Sequence, residues 1–227
     1  MRANRRRVKD RYQARVAVLV ALALNLVLPA KLTLGPIWVL LVIIALFLLP
    51  LVAMTPTRTR DLHVMRALTI GLVAVLNFFN VASVVLLIDD LLNVHAPGHV
   101  NLNAQELLSS GAAIWLTNII IFALWFWELD GDGPFDRDRF PSACETPSID
   151  FLFPQMSMDP NRIKGLPRHW RPMFLDYLYL SFTNALAVSP TDVMPITRTA
   201  KMLMLGESLI SFVTVALILA RSVNILS

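Results

Sequence analysis

The stretch "SFTNALAVSPTDVMP", Ser181–Pro195, decides how this chain is laid through its surroundings. An apolar, helix-forming run leads into Ser189-Pro190-Thr191-Asp192, a cluster of residues that stops a helix. The segment ahead of the stop, Pro172–Ser189, is weakly hydrophobic and barely long enough to cross a bilayer, whereas Met202–Ala220 behind it is a plain span. Two layouts follow. Either Pro172–Ser189 crosses completely and the chain turns at "SPTD", or it dips into the membrane and returns to the side it came from.

Working outward, four further apolar runs come into view: Val16–Ala30 with its flanks, Ile37–Met54, Ala67–Ile88 and Leu107–Trp127. A 227-residue chain that is 56% hydrophobic and 16% charged has more apolar surface than one soluble core of that length can bury. The expected fold is therefore an all-α polytopic membrane bundle with five clear spans and a sixth hydrophobic segment, in the cell membrane. A lone cysteine, Cys144, excludes an internal disulfide and any thiolate-rich metal site.

Charge sets the expected topology. "MRANRRRVKDRYQAR" holds seven basic residues and one acid, enough to leave the remainder of the +4 chain slightly acidic. Directly ahead of a span, such an arm reads as a cytoplasmic anchor that meets anionic lipid headgroups rather than nucleic acid. "TPTRTRDLHVMR" returns three arginines to the same side, "DDLLNVHAPGHVNLNAQE" carries no Lys or Arg, and "RIKGLPRHWRP" is basic again. The domains expected are a basic arm (1–15), a four-span bundle (16–128), a cytoplasmic insertion (129–171) and a helical hairpin (172–227). The positive-inside bias favours a full crossing by Pro172–Ser189, which would place both termini in the cytoplasm.

From Tyr177 onward the sequence resembles the pore loop and inner helix of tetrameric potassium-type cation channels. Ser181-Phe182, Val188, Asp192 and Pro195 align without a gap with that family's pore-helix Ser-Phe, filter Val, filter Asp and Pro, and the register continues through Glu207, Leu209, Ala216 and Ala220-Arg221. The whole chain is also similar to a group of uncharacterised bacterial integral membrane proteins with segments like "FWELD" and "SFTNALAVSPTD". The resemblance implies a channel-like pore module and a homo-oligomer. It departs where selectivity would reside. Ser189 and Thr191 stand in place of the filter glycines, which supply left-handed backbone, and Pro190 stands in place of the filter Tyr. A potassium-selective filter is not expected, and Ser211 replaces the glycine that hinges many inner helices.

Polar residues inside apolar spans each need a partner, because the bilayer offers no water. Glu207 is foremost: its carboxyl must be protonated, paired with Arg198 or Lys201, or open to a water-filled cavity. Asn77 and Asn80, with Ser83 one turn further, mark one face of the third span; Asn118 beside Thr117 marks the fourth, and Asn184 beside Thr183 the segment before the turn. Together with Ser189, Thr191 and Asp192 these are the candidate pathway residues. The plainer reading of the asparagines is interhelical hydrogen bonding. Thr191 is a candidate helix cap, and Trp125 and Trp127 of "FWELDGDGP" suggest an aromatic interface belt before a turn.

"DGDGPFDRD" misses calcium-loop spacing, with Phe135 where Gly belongs and Pro141 where Glu belongs, and His95 and His99 lack a third ligand. No metal, cofactor or enzymatic activity is expected. The functional expectation is a membrane protein with an ion-channel-like module forming a non-potassium-selective cation pathway; the alternative is a non-conducting structural or partner-binding membrane protein.

Overall fold

The computed structural model describes residues 2–36, 38–39, 41–46, 59–93, 103–134, 149–159, 170–186 and 192–226. Five helices dominate: α1 (Arg2–Val27), α2 (Thr59–Leu92), α3 (Ala104–Leu129), α4 (Phe174–Leu186) and α5 (Arg198–Leu226). Residues 38–39 and 41–46 are also helical, and a short turn of helix (Pro154–Ser157) lies between α3 and α4.

Each boundary has a local cause. At the N-terminus of α3 a capping box closes: Asn103 Oδ1 accepts from the Glu106 amide at 2.8 Å, and Glu106 Oε2 accepts from the Asn103 amide at 3.0 Å. The same helix stops at a turn in which Gly131 (φ 56°) and Gly133 (φ 93°) take left-handed backbone. α1 ends ahead of Pro29, whose ring disfavours helical backbone in the residue before it. α5 is capped by Thr197, whose Oγ1 accepts from the Ala200 amide at 3.2 Å; the cap expected at Thr191 lies outside the described residues.

α3 is the central helix, and α1, α2, α4 and α5 all pack on it. Two-thirds (67%) of its apolar window is buried, against 17% for α5. One core lies at the C-terminal end of α3, where Phe126, Phe151, Phe174 and Tyr177 are fully buried. A smaller one, built on Leu32, Leu87, Leu107 and Ile114, lies at the other end. On α5, Met202, Leu205, Leu209 and Phe212 each remain at least 60% exposed, a row that a bilayer accommodates and water does not.

Three helices are long and apolar enough to cross a membrane: His63–Leu92, Gln105–Leu129 and Arg198–Ala220. They coincide with the third, fourth and last of the expected spans. For the first, the described apolar helix is Tyr12–Val27, within α1. Of the second, 37, 40 and 47–54 lie outside the described residues.

The sixth segment forms a hairpin on α3. α4 has 13 residues and rises about 20 Å, against about 30 Å of hydrocarbon. It starts beside the C-terminal end of α3, where the Tyr177 hydroxyl donates to Asp130 Oδ2, and runs antiparallel to that helix until Phe182 stacks edge-on against Trp115. By Met194–Pro195 the chain is back at the starting end, paired antiparallel with Phe151–Leu152. There Thr197 Oγ1 donates to Asp150 Oδ1 at 2.6 Å, and the Asp150 amide donates to Asp130 Oδ1 at 2.7 Å. Both ends of the hairpin thus sit at one end of α3.

The expectation for the termini changes with it. Asp10 of α1 accepts from Trp127 Nε1 at 3.0 Å, level with the C-terminal end of α3. A Cβ on Gly111 would meet the Ile218 side chain, which sets the far part of α5 level with the N-terminal end of α3. Trp127 and Gly111 are sixteen residues apart on one helix, about 24 Å. The beginning of α1 and the end of α5 therefore lie at opposite ends of the bundle, not at the same one.

Candidate intramembrane polar site

Glu207 lies two and a half turns into α5 and is fully buried. The Ser181 hydroxyl meets its Oε1, and Asn184 Nδ2 donates to its Oε2 at 2.7 Å. Ser181 and Asn184 are three residues apart on α4, hence on one face. The orientation of the Asn184 amide is fixed by a second acceptor, the Met204 carbonyl, at 2.9 Å. Ser208 Oγ donates back to the Asn184 carbonyl at 3.3 Å, which ties α4 to α5 from both directions.

α3 closes the site from behind. Asn118 is fully buried; its Nδ2 donates to Ser211 Oγ at 2.9 Å and reaches the Glu207 carbonyl at 3.4 Å. Its Oδ1 accepts from Asn80 Nδ2 of α2 at 3.3 Å. Ser181 Oγ also lies 2.7 Å from the Ile119 carbonyl. Asn80, Asn118, Asn184 and Glu207, on four different helices, form one hydrogen-bonded set.

Other expected site residues fall elsewhere. Asn77 is half-buried, with a side-chain oxygen that has no hydrogen-bond partner among the described residues. Asp192 is exposed and is not among the partners of Glu207. Ser189 and Thr191 lie outside the described residues. Arg198 and Lys201 are exposed, so neither neutralises Glu207; its partners are all neutral.

A second buried cluster, at the C-terminal end of α3, was not expected. Asp130 is 1% exposed and accepts from the amides of Asp150 (2.7 Å) and Phe151 (3.2 Å) and from the Tyr177 hydroxyl. Asp150 accepts in turn from the Gly131 amide at 3.3 Å and from Thr197. Asp10 accepts from the Phe174 amide at 2.5 Å as well as from Trp127, so it caps α4 from α1. Trp127 is 5% exposed and belongs to this junction, not to an interface belt. The carboxyl of the fully buried Glu128 and the Arg66 guanidinium lie 3.6 and 3.7 Å from the point a Cβ on Gly133 would occupy.

The signal for this cluster was present in "FWELDGDG", where two acids flank a leucine at a helix end, but an acid beside two glycines also reads as solvent-exposed turn. The polar Ser181–Asn184 face ahead of the turn is a partner for Glu207 that the sequence offers; Ser211 reads there only as a replaced hinge glycine, although Glu207 and Ser211 are four apart on one helix face. Among the described residues no group of three His, Cys, Asp or Glu side chains is placed to hold a metal ion. The chain matches no protein-family model, and no curated protein or solved structure is significantly similar to it.

Proposed function

We propose that this chain is a multi-pass protein of the cell membrane whose C-terminal module, α4, the return stretch and α5, forms a cation pathway without potassium selectivity. The observation that supports the reading is that residues 174–186 and 192–197 begin and end at the same end of α3, which suits a re-entrant hairpin. Backbone that leaves helical geometry at membrane depth is tolerated where it is buried in protein or lines a water-filled cavity. Helix α4 brings Ser181 and Asn184 to the Glu207 carboxyl, and ionisable groups at membrane depth mark ion and proton routes.

Orientation follows from charge. Apart from Lys31 and Arg221, every Lys and Arg of the sequence falls in a segment that adjoins the end of the bundle where α1, α2, α4 and α5 begin and α3 finishes. The positive-inside rule assigns that end to the cytoplasm. The hairpin then opens to the cytoplasm, the basic N-terminal turns of α1 meet anionic headgroups, and the end of α5 lies outside. The uncovered row Met202, Leu205, Leu209 and Phe212 is where lipid or further copies of the chain would pack.

Ser189-Pro190-Thr191 supports the lack of potassium selectivity, because proline fixes φ and removes an amide, and a β-branched residue resists positive φ. Ion flux into vesicles containing the purified chain tests the proposal. Sodium and potassium should pass at similar rates; a reversal potential that tracks potassium alone refutes the selectivity claim, and impermeability to every cation refutes the pathway. The second reading, a non-conducting membrane protein, is favoured by the direct hydrogen bonds that fill the space around Glu207.

A further inference from the structure

We infer that Glu207 is a proton-binding site, and that the proton rather than an alkali metal ion is the cation it takes. This deepens the pathway reading and rests on it for passage of the proton across the membrane, though not for its binding. The argument starts from an inventory of hydrogens. Ser181 Oγ has one proton and two acceptors in reach, the Ile119 carbonyl at 2.7 Å and Glu207 Oε1. A carbonyl can only accept. If Ser181 donates to Ile119, the contact to Oε1 is filled by a proton on the carboxyl, donated to Ser181 Oγ. Both N–H groups of Asn184 are engaged, one by the Met204 carbonyl and one by Oε2. A neutral acid satisfies every member of the set at once.

The same contacts favour a proton over a metal ion. Hard cations are held by converging oxygens, yet the group aimed at Oε2 is an amide nitrogen whose direction is set by the Met204 carbonyl. The groups facing Glu207 are Asn118 and the Ile119 carbonyl from α3 and Ser181 and Asn184 from α4. On α5 itself Arg198 and Lys201 are exposed, and Tyr177, one turn before Ser181, is turned to Asp130. The side chains that hydrogen-bond the carboxyl, Ser181 and Asn184, are both neutral.

Release of the proton to water leaves a carboxylate that needs a new donor. Ser181 supplies it by rotating its hydroxyl from Ile119 to Oε1, while the Ile119 carbonyl keeps its helical amide and Asn184 continues to donate to Oε2. Rebinding reverses the rotation. The set has two closed arrangements, which differ by one proton and one hydroxyl rotor.

Infrared spectra of the full chain in lipid vesicles, recorded across a pH series in sodium and again in potassium, test this. A protonated-carboxyl C=O band should be present at neutral pH, absent in Glu207→Gln, and bleached reversibly in the wild type as pH rises. Exchanging sodium for potassium at fixed pH should leave it in place. In Ser181→Ala the band should persist at a shifted frequency, which assigns it even if the Gln variant fails to fold. No band sensitive to either substitution, or loss of the band on adding either metal ion at constant pH, overturns the inference. Proton and alkali-ion flux into the same vesicles separates the two claims. The band without any flux defeats the pathway and leaves the site; alkali-ion flux without the band defeats the site and leaves the pathway.

Discussion

Replacing Glu207 by Gln and by Leu separates what the carboxyl does for packing from what its proton does. Gln is the neutral analogue of a protonated Glu: its Nε2 can donate to Ser181 and its Oε1 can accept from Asn184. Its stability should fall within about 0.5 kcal/mol of wild type, the range of a substitution that loses no contact. Leu keeps the volume and removes both contacts. Ser181 then retains the Ile119 carbonyl and Asn184 retains Met204, so the net loss is one bond and one orphaned amide N–H in a buried position, roughly 1–3 kcal/mol. For a chain of this length each kcal/mol moves the midpoint by about 2–4 °C, so a cost near 2 kcal/mol appears as a drop of about 4–8 °C. Thermal unfolding of the three proteins in one detergent reads this directly. Equal midpoints for all three would refute the structural role of Glu207, and a Gln variant as unstable as the Leu variant would refute the neutral carboxyl.

At the other end of α3, Asp130→Ala should cost more than about 3 kcal/mol, since two backbone amides and the Tyr177 hydroxyl lose their acceptor together; Tyr177→Phe should cost only about 1 kcal/mol, and denaturant unfolding compares the two. Gly111→Leu should destabilise by roughly 1–3 kcal/mol by driving a side chain into Ile218, an effect partly relieved in the double variant Gly111→Leu, Ile218→Ala. In a Cys144→Ser background, single cysteines at Met158 and at Asn93, both exposed, should show opposite behaviour toward an impermeant thiol reagent in intact cells. Asn93 should label and Met158 should not. Labelling of Met158 alone would invert the orientation, and labelling of both would contradict the placement of these residues at opposite ends of the bundle.

Composition and run length made the helical membrane class legible, because apolar runs such as Ala67–Ile88 and Leu107–Trp127 exceed what a soluble core uses and coincide with two of the three helices able to cross. The asparagines were legible for a related reason: an amide in a span must find a partner, and Asn80, Asn118 and Asn184 all found theirs on neighbouring helices. The return of the hairpin to one end of α3 was not. Hydropathy measures whether a segment tolerates lipid, and a half-membrane helix passes that test as well as a full one. What separates the two is where the chain after residue 186 returns, and that is set by contacts distant in sequence: Asp150 with Thr197, Phe151 with Pro195, Tyr177 with Asp130.

The buried acids escaped for the converse reason. Asp130 and Asp150 bind backbone amides of segments about twenty residues apart, and no spacing rule for helices or strands links them. These acids hold Tyr177 and Thr197, and Tyr177 is one helical turn before Ser181 on α4. The cluster at the end of α3 therefore sets the depth at which Ser181 and Asn184 meet Glu207. Loosening it in Asp130→Ala should disturb the Glu207 carboxyl band without any change to the residues that touch the carboxyl. An unaltered band in a folded Asp130→Ala protein would mean that α5 and α3 alone fix the site and that the hairpin's anchorage is independent of it.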